Sequence, residues 1–218
     1  MERVNVRPHD LVRLAPGAPP FADAPGWVAA ALERAPFAVV RRAPRIADHI
    51  GDHIGDQIAV GVRGDVRSER FGAWIEPRWI DAILTPEDLC TRAPEPARAG
   101  LPAFALLRAV ASILDARALA WGPAGSAGFE LATAMPAITA SSDLDIVVRA
   151  PTPLPRADAS ALLDALSHAA QQAGTRIDVQ IETPEAAFSL AEFARAGLRV
   201  MLRHADGPRL VADPWAAS

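Results

Sequence analysis

The chain has 218 residues, is half hydrophobic and carries a formal net charge of −4. That size supports one large domain or two small ones with a sizeable core, and the charge excludes a bulk electrostatic footprint for nucleic acid or a membrane surface. The 22 basic residues are all arginine, and Cys90 is the only cysteine. Any phosphate clamp must therefore come from Arg, His, backbone N–H groups or a metal, and no intramolecular disulfide or cysteine metal knuckle is possible. The N-terminal stretch "MERVNVRPHD" has no apolar core of the signal-peptide kind, and no apolar run approaches ~20 residues. A soluble, cytoplasmic protein is expected.

In chain order, "GWVAAALERA" predicts a helix over 26–34 and "FAVVRRA" a strand over 37–42. "QIAVGVRG" (57–64) and "ERFGAWI" (69–75) read as two more strands. Ahead of them, "HIGDHIGD" (49–56) is a four-residue tandem copy, read as a small duplication in a surface loop between strands, where insertions cost little. "TPEDLC" from Thr85 has a capping threonine, a proline and first-turn acids, so a helix starts there. The Pro/Ala/Gly-rich "APEPARAG" (93–100) marks a connector and divides the chain into a small mixed α/β unit, 1–92, and a larger domain, 93–218. In that domain "PAFALLRAVASILDARAL" (102–119) predicts a long apolar helix. "DASALLDALSHAAQQAG" (158–174) predicts an amphipathic one, capped by Asp158 or Ser160 and ended by Gly174. "RIDVQIE" (176–182) alternates as a half-buried strand, "TPEAAFSLAEFARAG" (183–197) reads as a helix, and "LRVMLRH" (198–204) as a strand that "DGPRLV" turns back. The whole is an α+β arrangement.

The chemistry gathers in "GPAGSAGFELATAMPAITASSDLDIVVRA". A period of two sends Asp143, Asp145 and Val147 to one face, with the two aspartate Cα atoms about 6.5–7 Å apart. Like charges so close repel unless a cation or a proton is shared, and Mg²⁺ favours one or two carboxylates plus phosphate oxygens. Upstream, Gly122, Gly125 and Ser126 form a glycine-rich turn whose N–H groups and hydroxyl suit phosphate. Downstream, Asp178 lies on the polar face of its strand as a third acid, either completing a metal site or taking a proton. Arg149, on the same face as Val147, is a candidate phosphate contact or a solvated strand end. Arg63, Arg67 and Arg70 in "VRGDVRSER" are possible contacts for a donor or a partner, or an ordinary charged hairpin. His9 in "RPHD" is expected to be structural, and Asp213, Pro214 and Trp215 to pack the C-terminus.

Gly-x-x-Gly-Ser, then Asp-x-Asp on a strand, then Asp on a later strand, resembles the nucleotidyltransferase superfamily with its polymerase-β-like fold. The blocks "RPHDLV", "VVRRA", "VGVRGDVRSERF", "WGPAGSAGFELAT", "SDLDIVVRAP", "DVQIETPEAAFSLAEFA" and "GPRLVADPW" together look like the malonate decarboxylase holo-acyl-carrier-protein synthase family, the phosphoribosyl-dephospho-CoA transferases. The resemblance runs from about Arg7 to Trp215. It implies transfer of the 2′-(5″-phosphoribosyl)-3′-dephospho-CoA group from its triphosphate precursor, triphosphoribosyl-dephospho-CoA, to a serine of the apo acyl-carrier protein subunit of malonate decarboxylase. Asp143 and Asp145 would hold Mg²⁺, Asp178 would complete the site or act as base, and Gly125 and Ser126 would cradle the departing phosphates. The tandem repeat at 49–56 departs from the family pattern. Two other readings stay open on the residues: a nucleotidyltransferase using ATP or CTP, and a binding module that kept the fold without the activity.

Overall fold

A computed structural model describes residues 5–43, 57–66, 68–195 and 199–216. The tandem repeat at 49–56 and Arg67 fall outside the described residues. The chain separates into two compact units, Met1–Thr85 and Pro86–Ser218, and the 93–100 connector lies inside the second.

The first unit is a five-stranded antiparallel sheet. Its strands are β1 (Leu11–Leu14), β2 (Phe37–Val40), β3 (Ile58–Arg63), β4 (Arg70–Ile75) and β5 (Ile80–Leu84), in the order β4-β3-β2-β1-β5. Helix α1 (Gly26–Arg34) lays Val28 and Ala31 onto Val12, Ala38, Val40, Val60 and Val62. The strands read from sequence are present, each a residue or two shorter at an end. β1 and β5 carry no sequence signal of their own, because "LVRL" and "IDAIL" are too short to show a period of two. His9 serves structure: it turns the chain with φ 75° and its N–H donates to the Val40 carbonyl at 3.0 Å.

The second unit is a six-stranded sheet of β6 (Ala120–Pro123), β7 (Leu144–Arg149), β8 (Ile177–Glu182), β9 (Ala186–Ser189), β10 (Val200–His204) and β11 (Gly207–Val211), ordered β11-β10-β9-β8-β7-β6. Only β7 and β8 run parallel, joined by α5 (Arg156–Ala173), as a parallel pair requires a crossover. Helix α3 (Pro102–Asp115) packs against α5, burying Phe104, Leu106, Val110 and Leu114. A four-residue helix α2 (Pro86–Leu89) precedes it, and its first residues touch β6. Among the described residues no helix is long and apolar enough to cross a membrane.

Four expectations need correction. The stretch 183–197 is not one helix. The Thr183 hydroxyl and N–H bond the Ala186 carbonyl at 3.1 and 2.9 Å, closing a turn into β9, and a short helix α6 (Leu190–Arg195) begins only afterwards. Ala186, Ala187 and Phe188 are fully buried, so filling the gap between β8 and β10 outweighs the local helix signal. The glycine-rich turn at 122–126 is the end of β6 followed by a helix, α4 (Gly125–Thr133), with Ala127, Gly128 and Leu131 inward. Helix α3 stops at Asp115 rather than 119, since Asp115 accepts the Trp121 indole N–H at 2.8 Å while 120–123 join the sheet. Helix α5 starts at Arg156 after Pro155, without a side-chain cap from Asp158 or Ser160; it ends on Gly174 at φ 69°, as read. The C-terminus packs as expected: Trp215 donates to the Ala150 carbonyl at 2.9 Å and meets Phe188 and Phe193 edge-on.

Candidate active site

The candidate site is built where β6, α4, β7 and β8 meet in the second unit. β6 runs antiparallel to β7, pairing Gly122 with Val147 and Pro123 with Ile146. The Ala124 N–H donates to the Asp145 carbonyl at 2.9 Å, which brings the first turn of α4 level with Asp145. Gly125, with φ 54°, opens that helix. A Cβ there would collide with the Asp145 carboxylate, whose Cγ would be 2.7 Å away. Glycine thus serves twice at one position, by adopting a left-handed backbone and by leaving room for a carboxylate. The first N–H groups of a helix have no intrahelical acceptors, and α4 has no side-chain cap from Ala124. A carboxylate at such an end is electrostatically favoured.

β8 lies beside β7 in register, Asp145 opposite Asp178. Residues paired in this way project to the same face of neighbouring strands about 4.8 Å apart, so the sheet brings these two of the three predicted acids side by side. Asp178 is exposed and Asp145 half-buried.

Asp143 is placed differently. It sits at the lip of β7, one residue before the strand, and a residue sequence reasoning had missed takes both its oxygens. The Arg176 Nε donates to Asp143 Oδ1 and Nη2 to Oδ2, each at 2.9 Å. The Arg176 carbonyl also accepts the Leu144 N–H at 2.9 Å, and the Thr175 hydroxyl donates to the Ser142 carbonyl at 2.9 Å. The only available signal was an arginine directly before "IDV", which shows its partner only once β7 and β8 are known to be parallel. As the side chains stand, no group of three or more His, Cys, Asp or Glu among the described residues could hold a metal ion.

The two remaining predicted phosphate contacts lie apart from these carboxylates. Gly122 is buried in β6 and faces the α2 backbone: a Cβ would collide with the Pro86 carbonyl group and come 2.7 Å from the Glu87 nitrogen. Arg149 is four residues along β7 from Asp145, about 13 Å by strand rise. Its Nε donates to Glu87 Oε1 at 3.1 Å and its Nη1 lies 3.9 Å from Glu182 Oε2, with the side chain only 10% exposed. Arg63 and Arg70 belong to the first unit, paired opposite each other across β3 and β4.

A second missed residue shapes the loop between α4 and β7. Glu130, on α4 and buried, accepts the Arg98 guanidinium and the N–H groups of Ala137 and Ile138 at 2.7 and 2.8 Å. Burial alone would raise its pKa, but Arg98 and the two backbone donors together hold it below the usual carboxylate value. The loop then closes through Thr139 and Ser142, the Thr139 N–H meeting the Ser142 hydroxyl at 2.9 Å immediately before Asp143.

Comparison with known proteins fits this two-part organisation. Residues 7–86 match the phosphoribosyl-dephospho-CoA transferase MdcG N-terminal domain and residues 89–214 the MdcG C-terminal domain. A phosphoribosyl-dephospho-CoA transferase of Pseudomonas putida is 43% identical over 210 residues, covering 96% of this chain and 95% of its own. The proteins of that name from Pseudomonas aeruginosa and Klebsiella pneumoniae are 41% and 39% identical, covering 98% and 96% of this chain and 95% and 96% of their own. No solved structure matches. With both domains matched in order and relatives aligned nearly end to end, the chain belongs to the phosphoribosyl-dephospho-CoA transferase family.

Proposed function

We propose that this enzyme moves the 2′-(5″-phosphoribosyl)-3′-dephospho-CoA group from triphosphoribosyl-dephospho-CoA to a serine of the apo acyl-carrier subunit of malonate decarboxylase, and that Pro86–Ser218 is a polymerase-β-like nucleotidyltransferase domain. The serine oxygen attacks the α-phosphorus. The bond to the β-phosphate bridging oxygen breaks, pyrophosphate leaves, and the hydroxyl proton passes to a carboxylate. Such an in-line displacement asks the protein for positioning and charge stabilisation rather than covalent chemistry.

The observation that carries the reading is the Asp145–Gly125 contact at the α4 N-terminus, with Asp178 in register beside it. The first-turn N–H groups at Gly125 and Ser126 are suited to a departing phosphate. A carboxylate and a phosphate at one helix end repel each other unless a cation lies between them, and two adjacent carboxylates have the same need. Mg²⁺ fits this donor set, because it takes one or two hard carboxylate oxygens and leaves its other positions to phosphate and water. Asp145 and Asp178 would hold it, and Asp143 would join once released by Arg176. Bound there, the ion would neutralise charge on the phosphate oxygens. Asp145 is kept in place by the α4 backbone, whereas Asp178, exposed, would also take the serine proton. Gly122 and Arg149 support the sheet, Gly122 by admitting α2 and Arg149 through Glu87 and Glu182.

Intact mass spectrometry of the apo carrier subunit tests this, after incubation with the enzyme, Mg²⁺ and triphosphoribosyl-dephospho-CoA. The expected result is a gain equal to the phosphoribosyl-dephospho-CoA group, absent with EDTA and absent with Asp145→Asn. Nucleotide addition from ATP with none from that donor would overturn the donor assignment and leave a nucleotidyltransferase.

A further inference from the structure

In the first unit, α1 covers the sheet face that carries Val60 and Val62. On the opposite face, Gly61 of β3 and Gly72 of β4 stand directly across from each other. A glycine inside a strand marks a bend, a bulge or the close approach of another group, and here the group is the side chain of Arg41. A Cβ on Gly61 would meet Arg41 Cδ at 3.2 Å, and a Cβ on Gly72 would collide with the guanidinium, whose Cζ would be 3.2 Å away. The two glycines together form a bare-backbone channel in which Arg41 lies across the sheet.

Two positions further along the same face, Arg63 and Arg70 are again directly opposite each other. Like charges facing across an antiparallel ladder are destabilising, by up to roughly 1 kcal/mol. Among the described residues the exposed Arg41 has no ion-pair partner, and the exposed Arg70 guanidinium donates to the Glu69 carbonyl at 3.0 Å. A chain with net charge −4 thus concentrates three guanidinium groups on one sheet face. Small-molecule sites are concave and enclose their ligands, whereas Arg41 and Arg70 stand exposed beside bare glycine backbone. It fits a broad anionic occupant.

We propose that the β2–β4 face bearing Arg41, Arg63 and Arg70 docks an acidic protein surface, whose Asp and Glu side chains pair with the exposed guanidinium groups of Arg41 and Arg70. Arginine suits that task, because its fork meets a carboxylate through two parallel hydrogen bonds. Naming the apo carrier subunit as that surface rests on the function proposed above; the charge of the occupant does not.

The test titrates the full-length chain with purified apo carrier subunit by calorimetry at low and high salt, and titrates dephospho-CoA in parallel. The unaltered chain is compared with Arg41→Glu/Arg70→Glu and Arg41→Lys/Arg70→Lys, each first shown to melt as the unaltered chain does. Charge reversal should weaken carrier binding at least tenfold and flatten its salt dependence, while the lysine pair should stay within about threefold. Equal carrier affinity in the reversed variant overturns the docking surface and leaves the transfer reaction standing. No carrier binding by the unaltered chain also overturns it, and the mass measurement then reports independently whether the carrier is the acceptor. Loss of dephospho-CoA affinity alone overturns it in favour of a small-phosphate site.

Discussion

The Asp145 carboxylate occupies the space that a Cβ on Gly125 would need. A carboxylate packed against a helix backbone has few positions open to it, so this contact fixes one member of the acidic pair.

Gly125→Ala should therefore cost transfer activity out of proportion to stability. The left-handed φ alone costs about 1–2 kcal/mol in a residue with a side chain, and the added methyl must displace Asp145. Turnover is expected to fall at least a hundredfold while thermal melting drops by several degrees. Gly122→Ala makes the contrast, since its methyl meets the Pro86 backbone. It should unfold at markedly lower temperature, with the surviving folded fraction still active. Melting curves and transfer rates on both variants separate the two roles; similar effects from both would sink the distinction.

Arg176 and Asp143 form an exposed fork, the arginine side chain 79% accessible. Exposed pairs contribute little to stability, about 0–1 kcal/mol. Arg176→Ala should hardly move the melting temperature but should tighten Mn²⁺ binding to the free protein severalfold, by freeing Asp143. The measurement is Mn²⁺ titration followed by electron paramagnetic resonance. Unchanged affinity would show that Asp143 does not join the cation.

Glu130 and Arg98 predict an acid-sensitive step. Glu130 has a folded pKa below its ordinary value, so its contribution is fully present above the unfolded-state carboxylate pKa and is lost as pH falls through the lowered folded one. Glu130→Gln should cost about 2–4 kcal/mol at pH 7, because Arg98 and two backbone donors lose a charged acceptor. Urea unfolding against pH should show the variant flatter than the original chain as pH falls through and below the ordinary carboxylate range. Parallel curves would remove Glu130 from the account.

Cys90 is exposed, yet its thiol donates to the Trp121 carbonyl at 3.2 Å, and its pKa is pushed up to about 11 by burial, then by Asp115 and Glu87. A shift from 9.0 to about 11 leaves roughly a hundredfold less thiolate at neutral pH. Iodoacetamide at pH 7.5 should alkylate Cys90 far more slowly than free cysteine; equal rates would contradict the shift.

Much of the architecture was legible along the chain. α1, the strands around 58–63 and 70–75, β7, β8 and the helix ending on Gly174 all announce themselves by period, glycine or apolar run. β9 did not, because its "TPE" start carries a real helix signal that only the empty place between β8 and β10 overrides. The glycines of the candidate site were legible as glycines but not by role. Gly122 and Gly125 look alike in "GPAGS", and the difference between admitting a helix backbone and admitting a carboxylate exists only after β6 pairs with β7.

By itself, the sequence determined which residue types could do chemistry: three aspartates with no lysine to accompany them, a glycine-serine turn, and the periodicity that puts Asp145 and Asp178 on polar strand faces. The tertiary structure decided which of them meet. Parallel pairing of β7 with β8 sets Asp145 beside Asp178 and Asp143 beside Arg176, and antiparallel pairing of β3 with β4 sets Gly61 against Gly72 and Arg63 against Arg70. The physical reason is that strand register is a relation between distant segments, fixed by burying one face of each, and no local pattern carries it.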